Sequence, residues 1–435
     1  MAAVCSWFVR NRRKARIMSM IAPITRELKF LSHQPFVIFL ITSMAFLSIF
    51  AIWSGLAETK HQHAIIERLL IADMQDRTAA IAKESDYGGA AYYAFHLTYD
   101  PPSDLAFAAI GRRDVFPWKH RIRMLALEGQ IYENDATNAE LAQSGRLDFA
   151  FIASVLLPLF LIVFLHDLRA SERATGRHDL LVVTAGNKGQ PWRARAMVRV
   201  ALLGFAVLTP FLFGAIITGT SMSSVFLTCL VLLAQIGFWT VLCLWASKRS
   251  FTGPTIASGL LAFWILTTLV IPAVGDAILE KAIPVPDGGD IILAQREAVN
   301  DAWDIPKEAT MNPFIARHPE WADYSRINRP FEWKWYYAFQ QVGDQSVEEM
   351  SQNRRDAILK RDRSAAWVAV FSPSSMTRRL LTSLAQTDTK AALSYQQRVR
   401  AYHSELRKFY YPLLFTDVAY NQDILSNLPE YSPEE

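Results

Sequence analysis

The stretch FAFIASVLLPLFLIVFL, Phe149–Leu165, carries no charged residue, and the stretch that follows, HDLRASERATGRHDLLVVT, His166–Thr184, is densely charged. A buried helix of a soluble protein rarely stays uncharged for so long, because one of its faces usually meets water. An apolar run beside a basic segment is typical of a helix that crosses a membrane. Although it is the shortest such run in the chain, it predicts a membrane protein.

Five runs in all are apolar enough to cross about 30 Å of hydrocarbon. Hydrophobic residues make up 51% of the chain and charged residues only 20%, which is too apolar for an ordinary soluble domain. We therefore expect an all-α polytopic membrane protein whose spans alternate with large polar segments. The predicted spans are residues 35–57, 148–165, 198–219, 224–246 and 255–274.

The charges of the loops predict the orientation, because basic residues concentrate on the cytoplasmic side of a membrane. Three segments carry such an excess, namely residues 1–34, residues 166–197 and the short loop with Lys248 and Arg249. Alternation of the five spans puts all three on one side. We therefore expect a multi-pass protein of the bacterial inner membrane with a cytoplasmic N-terminus.

The same alternation places residues 58–147 and 275–435 on the outer side, which is the periplasm in a Gram-negative cell. Helical spacing of apolar residues and an abundance of Trp and Tyr predict that both periplasmic segments are folded and largely helical. The formal net charge of +4 is modest and is explained by topology, so we expect no nucleic acid as a partner.

A candidate coupling element lies in the loop after the second span, residues 166–197. It combines alternating charge with a Leu–Leu pair and is tethered between two spans, so it can transmit a push from a soluble partner. The alternative is a plain basic loop with solvated charges, which the residue pattern alone does not exclude. The residues of the element are Ser171, Glu172, Arg173, Gly176, Arg177, Leu180 and Leu181.

Residues 21–31 have the pattern of an amphipathic elbow helix that lies in the membrane interface before the first span. Its apolar face would hold Ile21, Ile24, Leu28 and Leu31, and its polar face would hold Arg26, Glu27 and Lys29. The alternative is a cytoplasmic helix without such a contact.

Three prolines fall inside spans, where each removes one backbone hydrogen bond and should bend its helix. These residues, Pro158, Pro210 and Pro272, are candidate hinges, and static bends are the alternative.

The sequence lacks the residues for chemistry of its own. It has no Gly-x-x-x-x-Gly-Lys-Ser/Thr segment for a nucleotide and no Gly-x-Ser-x-Gly elbow for a catalytic serine. His61 and His63 are the nearest approach to a metal site, but a His-x-His pair on a helix points to different faces. We expect no enzyme activity, metal or cofactor in this chain. The spans also lack the acidic residues of an ion-coupled transporter.

The segment with Glu172 and Arg173 resembles the coupling helix that follows the second span in ABC-2 type permeases. Ser171, Glu172, Arg173, Gly176, Leu180 and Leu181 match that pattern, and Arg177 replaces the usual Thr. An ordered series of further segments is similar to the ABC-2 subfamily that carries a periplasmic domain of unknown function between its first two spans, related to the permease of the nitrous-oxide reductase maturation system. These segments are Pro101–Leu105, Ile110–Pro117, Ser144–Phe151, Trp264–Pro272, Gln295–Ala298, His318–Glu320, Ser372–Pro373 and Thr387–Asp388.

The resemblance implies a type V exporter-like permease that works with a separate ATP-binding subunit, which would hold the ATP and Mg²⁺. It implies a dimer, with an identical or a paralogous permease, that moves a substrate across the inner membrane. An alternative is a mechanotransmitter that acts on a periplasmic partner without transport, and another is a membrane anchor for an assembly or sensor module. Members of the family end with a sixth span, which is not visible in this sequence.

Overall fold

The computed structural model describes residues 24–133, 147–184, 190–416 and 418–433. Within these residues, five helices are long and apolar enough to cross a membrane, which confirms the expected number of spans. A short helix over residues 24–31, α1, precedes them. The spans are α2 (Pro35–Ile81), α5 (Phe149–Leu165, with a π-helical turn at Ile152–Leu156), α8 (Gln190–Thr218), α9 (Met222–Ser247) and α10 (Gly253–Ala282, with a π-helical turn at Leu266–Val270).

The remaining elements are shorter and mostly helical. Two helices, α6 (Ala170–Ala174) and α7 (His178–Thr184), follow the second span. The others belong to the two long polar segments and are α3 (Tyr87–Tyr93), β1 (His96–Tyr99), β2 (Lys119–Ile122), α4 (Leu127–Tyr132), α11 (Gly288–Asp301), α12 (Lys307–Arg317), α13 (Trp333–Ser346), α14 (Glu348–Val370), α15 (Pro373–Leu384) and α16 (Thr389–Phe415), with 3₁₀ turns at Gly111–Asp114, Pro319–Tyr324 and Gln422–Asn427.

The first span is the near half of a much longer helix. Helix α2 has 47 residues, about 70 Å at 1.5 Å per residue, or more than twice the thickness of the hydrocarbon core. Its far half is fixed by the buried carboxylate of Asp73, which accepts hydrogen bonds from the Leu97 backbone N–H (3.1 Å) and from Arg77 and Arg121. The expected span 35–57 therefore continues without a break into the polar part of the protein.

The two polar segments fold together around a second hydrophobic core, and we call the unit that they form the polar domain (described residues 82–133 and 283–433). Its centre is aromatic, with fully buried rings from three helices, among them Tyr337, Phe339, Tyr395 and Tyr410. Strands β1 and β2 add a small antiparallel sheet in the register His96 to Ile122. The two segments were expected to be largely helical, and the described residues agree with this apart from the small sheet, which was not expected. Four-residue strands are too short to give a clear alternation of apolar and polar residues.

An apolar loop, Leu105–Ile110, joins the polar domain to the bundle and is entirely buried. Phe107 enters the space that two glycines leave open. A Cβ atom on Gly55 of α2 would lie 1.9 Å from the Phe107 carbonyl oxygen, and one on Gly214 of α8 would lie 2.5 Å from its ring. The ring also stacks on Phe211 of α8, with centroids 6.2 Å apart. The two glycines are therefore required for the polar domain to seat on the spans.

Two of the three prolines stand directly after π-helical turns. Pro158 follows the turn Ile152–Leu156 in α5, and Pro272 follows the turn Leu266–Val270 in α10. Pro158 has no N–H to donate to the carbonyl of Ser154, four residues earlier. The side-chain amide of Gln235 on α9 donates to that carbonyl instead, at 3.2 Å. The backbone irregularity of α5 is thus stabilised by a neighbouring helix. Pro210 lies inside α8 without a π-helical turn.

Candidate coupling surface

The chain turns sharply after the second span because of one glycine. Helix α6 ends at Ala174, and Gly176, two residues later, has a φ of +69°, the left-handed conformation that favours glycine. The Gly176 N–H donates to the Arg173 carbonyl at 3.1 Å, and the Arg177 N–H donates to the Glu172 carbonyl at 3.0 Å. These two bonds form a Schellman motif, which satisfies the last carbonyls of α6. Helix α7 then begins at His178 in a new direction.

Glu172 faces inward and anchors α6 to the bundle. It is 7% exposed, and its carboxylate contacts Arg195 of α8 at 2.8 Å and Arg177 at 3.1 Å. Arg195 also contacts Glu27 of α1 at 3.4 Å, and Arg199, one turn further along α8, contacts Glu27 at 3.5 Å. A connected ion-pair network therefore joins the α6–α7 loop, helix α1 and the start of the third span.

Arg173 fixes the same loop to the connection between the fourth and fifth spans. Its guanidinium donates to the backbone carbonyl of Arg249 at 2.7 Å and to those of Ser247 and Phe251 at 3.4 and 3.3 Å. These carbonyls lie at and just beyond the C-terminus of α9, where a helix favours positive charge. The loop is thus attached to the bundle on two sides, and Arg195, Arg199 and Arg249 lie at this end of the bundle.

Trp192, at the start of α8, forms the floor under α7. It is 1% exposed, and the ring of His178 stacks on it with centroids 5.6 Å apart. The guanidinium groups of Arg169 and Arg195 approach the same indole ring at 5.6 and 5.4 Å, within cation–π range. The first turn of α7 therefore rests on a rigid base.

The rest of α7 points away from the bundle. None of its residues is buried, and two apolar side chains stand out, with Leu180 65% and Val183 77% exposed. Leu181 is half-buried. We call the outward surface of α7 around Leu180 and Val183 the coupling surface. A firmly held helix that presents apolar side chains to its surroundings is what a docking site for another protein requires.

The predicted site residues thus divide into two groups. Glu172 and Arg173, together with Ser171, whose hydroxyl donates to the Asp167 carbonyl at 3.1 Å, hold the loop in place. Leu180 is outward and available for contact, and Arg177, 62% exposed at its side chain, lies between the groups.

The described part of the expected elbow helix, residues 24–31, lies beside this loop. Leu31 is buried and Leu28 is 42% exposed, whereas Arg26 is exposed and Ile24 packs against the bundle. Glu27, which the sequence analysis placed on the polar face, is buried against Arg195 and Arg199. That assignment was wrong, because the helical periodicity of residues 21–31 contains no information about the two arginines of α8 that contact Glu27. Ile21 lies outside the described residues.

The ion-pair network is what sequence reasoning missed. Its signal was present, since Arg195 and Arg199 are one helical turn apart at the edge of an apolar span, where charge is costly without a partner.

The polar domain contains a charged cleft of about 380 Å³. Two of its acidic residues, Glu128 and Asp344, are each paired with an arginine, Arg400 and Arg407, at 2.6 Å. These four charges form ion pairs within the fold. Among the described residues, no group of three or more His, Cys, Asp or Glu side chains could hold a metal ion.

Comparison with known proteins gives one match. Residues 291–434 match the family described as a domain of unknown function, DUF3526. The matched region begins in α11 and covers most of the C-terminal half of the polar domain. No curated protein matches the chain, and no solved structure matches it.

Proposed function

We propose that this chain is the permease subunit of an ABC-2 type, type V exporter-like transporter, in which a separate ATP-binding subunit drives the movement of a substrate across the bacterial inner membrane. The observation that carries the proposal is the coupling surface. Its helix is short, stands at the end of the bundle that holds Arg195, Arg199 and Arg249, and exposes Leu180 and Val183. In this proposal that end of the bundle faces the cytoplasm.

The anchoring of the loop supports the proposal, because α7 can transmit force to the spans only if its attachment to them is firm. Force applied to α7 reaches α8 through Glu172 and Arg195, and it reaches the connection between α9 and α10 through Arg173. Each of these contacts is with a backbone carbonyl or with a largely buried charged side chain. A displacement of α7 therefore moves the spans and is not absorbed by movement within the loop.

The sequence has no nucleotide-binding segment of its own, so ATP and Mg²⁺ belong to the partner subunit in this proposal. The permease would act as a dimer, either with itself or with a paralogous permease, as the resemblance to ABC-2 permeases implies.

A second function is supported by helix α2. Because this helix continues from the first span into the polar domain without a break, any tilt of the span moves the polar domain as well. A mechanotransmitter, which does work on a periplasmic partner while no solute crosses, uses this same connection.

The test is to co-express the chain with any P-loop ATPase that is found encoded beside its gene and to reconstitute the purified complex in lipid nanodiscs. Val183→Asp places a charge on the coupling surface, and Val418→Asp makes the same change at an exposed position of the polar domain (41% exposed). We expect Val183→Asp to abolish co-purification of the ATPase or to lower ATP turnover by at least tenfold, and Val418→Asp to change neither.

Solute flux in liposomes separates the two functions. ATP turnover that depends on Val183 and is accompanied by flux supports a transporter, and the same turnover without flux of any candidate solute supports a mechanotransmitter. Equal behaviour of the two variants, or no ATPase bound to the wild-type chain, overturns both and leaves a membrane anchor as the function.

A further inference from the structure

A stretch without charge lies in the middle of the polar domain. Between Arg363 and Arg378 the sequence contains no Asp, Glu, Lys or Arg. Three large apolar side chains in this stretch are exposed, with Trp367 at 76%, Val370 at 58% and Phe371 at 68%. Such a cluster is unusual on a surface that meets water. The stretch comprises the end of α14 and the start of α15, which form a helical hairpin with its tip at Phe371 and Ser372.

Helix α14 descends along the far end of the fifth span, antiparallel to it. Just beyond the C-terminal end of α10, Arg361 donates to the backbone carbonyl of Ile283 at 2.8 Å. Lower down, Val368 packs on Gly275 so closely that a Cβ atom there would lie 2.5 Å from its methyl group. At the tip, the hydroxyls of Ser374 and Thr268 are 2.9 Å apart.

These contacts give the depth of the tip. Asp276 is the first charged residue after the apolar run of α10, so the edge of the hydrocarbon lies near it. Gly275 and Thr268 are two helical turns apart, or about 10 Å along the axis. Val370, Phe371 and Ser374 therefore lie below the edge, at the level of the span, while Trp367 lies close to the edge, where tryptophan is favoured.

The inner face of the hairpin is already occupied. Leu381 and Ala385 of α15 are 2% and 0% exposed and belong to the core of the spans. Two hydrogen bonds between Asp362 and Arg379, at 2.5 and 2.8 Å, join α14 to α15 above the tip. The exposed side chains therefore point to the outside of the bundle.

Several backbone N–H groups of the tip are satisfied by hydrogen bonds within the hairpin. The Phe371 N–H donates to the Val368 carbonyl at 3.1 Å, and the Ser372 N–H donates to the Ala369 carbonyl at 3.0 Å. The Ser372 hydroxyl then caps α15 by accepting from the Ser375 N–H at 3.2 Å. Internal satisfaction of backbone groups is the condition for placing a turn in a bilayer.

We infer that residues 364–377 form a re-entrant hairpin, inserted into the leaflet next to the polar domain, whose Val370 and Phe371 contact lipid acyl chains. Arg363 and Arg378 then lie at the level of the headgroups, which their long side chains reach. This inference holds whether or not the chain is a transporter subunit. It differs from the expectation that all of residues 275–435 lie in the periplasm.

Spin labels test the depth in liposomes of the full chain. In a background with serine at Cys5, Cys229 and Cys243, a label is attached to Val370→Cys or, as control, to Met350→Cys. Met350 is 36% exposed and lies about 30 Å away on the same helix. We expect the label at 370 to be relaxed by oxygen and protected from a water-soluble nickel chelate, and the label at 350 to show the opposite preference.

Two results overturn the inference. Equal accessibility to the nickel chelate at both positions places the tip in water, and protection of the label at 370 from both reagents places it against protein, such as a second copy.

A second measurement needs no substitution. A lipid with a diazirine in its acyl chain is photolysed around the native protein, which is then digested with trypsin. We expect the peptide Ser364–Arg378 to be labelled at least tenfold more than the peptide Ala391–Arg398 of α16. Equal labelling of the two peptides refutes the insertion.

Discussion

Replacing Glu172 with glutamine should loosen the coupling element without unfolding the protein. The carboxylate is the point at which α6 is fixed to α8, and the side chains of Glu172 and Arg195 are only 9% and 19% exposed. The isosteric amide keeps the shape and removes the charge. The loop from α6 to α7 should then open locally more often, while the bundle keeps its packing.

The magnitude follows from the burial of each pair. Removing one partner of a fully buried ion pair costs about 3–5 kcal/mol. Here Arg195 keeps Glu27 as a second partner, and the pair with Arg177 contributes under about 1 kcal/mol because the Arg177 side chain is 62% exposed. We therefore expect a loss of about 2 kcal/mol in the free energy of local opening, which is about a 30-fold change in the opening equilibrium.

Hydrogen exchange measured by mass spectrometry in nanodiscs gives the readout. The informative amides are those of Gly176 and Arg177, which donate to carbonyls of α6. Their exchange should accelerate by about 30-fold in Glu172→Gln. The control is Glu349→Gln, the same change at an exposed position on α14. Unchanged exchange at Gly176 and Arg177, or an equal acceleration in the control, would refute the anchoring role of Glu172.

Three further predictions concern stability and local order. Phe107→Ala should destabilise the protein by about 3–5 kcal/mol because it leaves a cavity between the apolar loop and two spans. The measurement is the thermal unfolding temperature in detergent, which Phe226→Ala, at a 67% exposed position on α9, should lower far less. Gly176→Ala should cost about 1 kcal/mol through its φ of +69° and raise exchange in residues 170–184, whereas Gly237→Ala, where a Cβ meets nothing within 4 Å, should leave that exchange unchanged. Burial lowers the pKa of His120 to about 4, so this residue is neutral in the folded protein and takes up a proton on unfolding below pH 6.5. Titration of His120 should therefore lower the free energy of unfolding by ~2 kcal/mol between pH 7.5 and pH 5. The unfolding temperature of His120→Gln should decrease less over that range than that of the wild-type protein, and an equal decrease would contradict this prediction.

The membrane spans could be predicted because hydrocarbon imposes a local rule. A span must be predominantly apolar over a known length, so the run Phe149–Leu165 can be recognised without reference to any other segment. The turn at Gly176 was not predicted, although glycine after a short charged helix is a common helix end. Local constraints of this kind are readable from one sequence.

The spacing of Arg195 and Arg199 indicated that they need partners, but the sequence could not identify those partners, because the members of the ion-pair network come from three separate segments. Glu27 looks like a solvated residue until α8 brings Arg195 and Arg199 to it. The re-entrant hairpin was missed for a related reason. Helix α14 carries too many charged residues over most of its length to span, α15 is too short to span, and only the contacts of the hairpin with α10 reveal its depth. Partners that are distant in sequence decide these features, and helical periodicity contains no information about them.

The third span is the element that both ends of the molecule share. Near its start, Arg195 receives the ion pair from the coupling element, and near its end, Phe211 and Gly214 pack on Phe107 of the apolar loop. A helix that is attached at both ends transmits a tilt when the attaching side chains are held by packing, and here Glu172 and Phe107 are both buried. Pro210 lies one turn before Gly214, so any bend it introduces falls next to the contact with Phe107. A motion of α7 should therefore appear in the polar domain first as a displacement of Phe107.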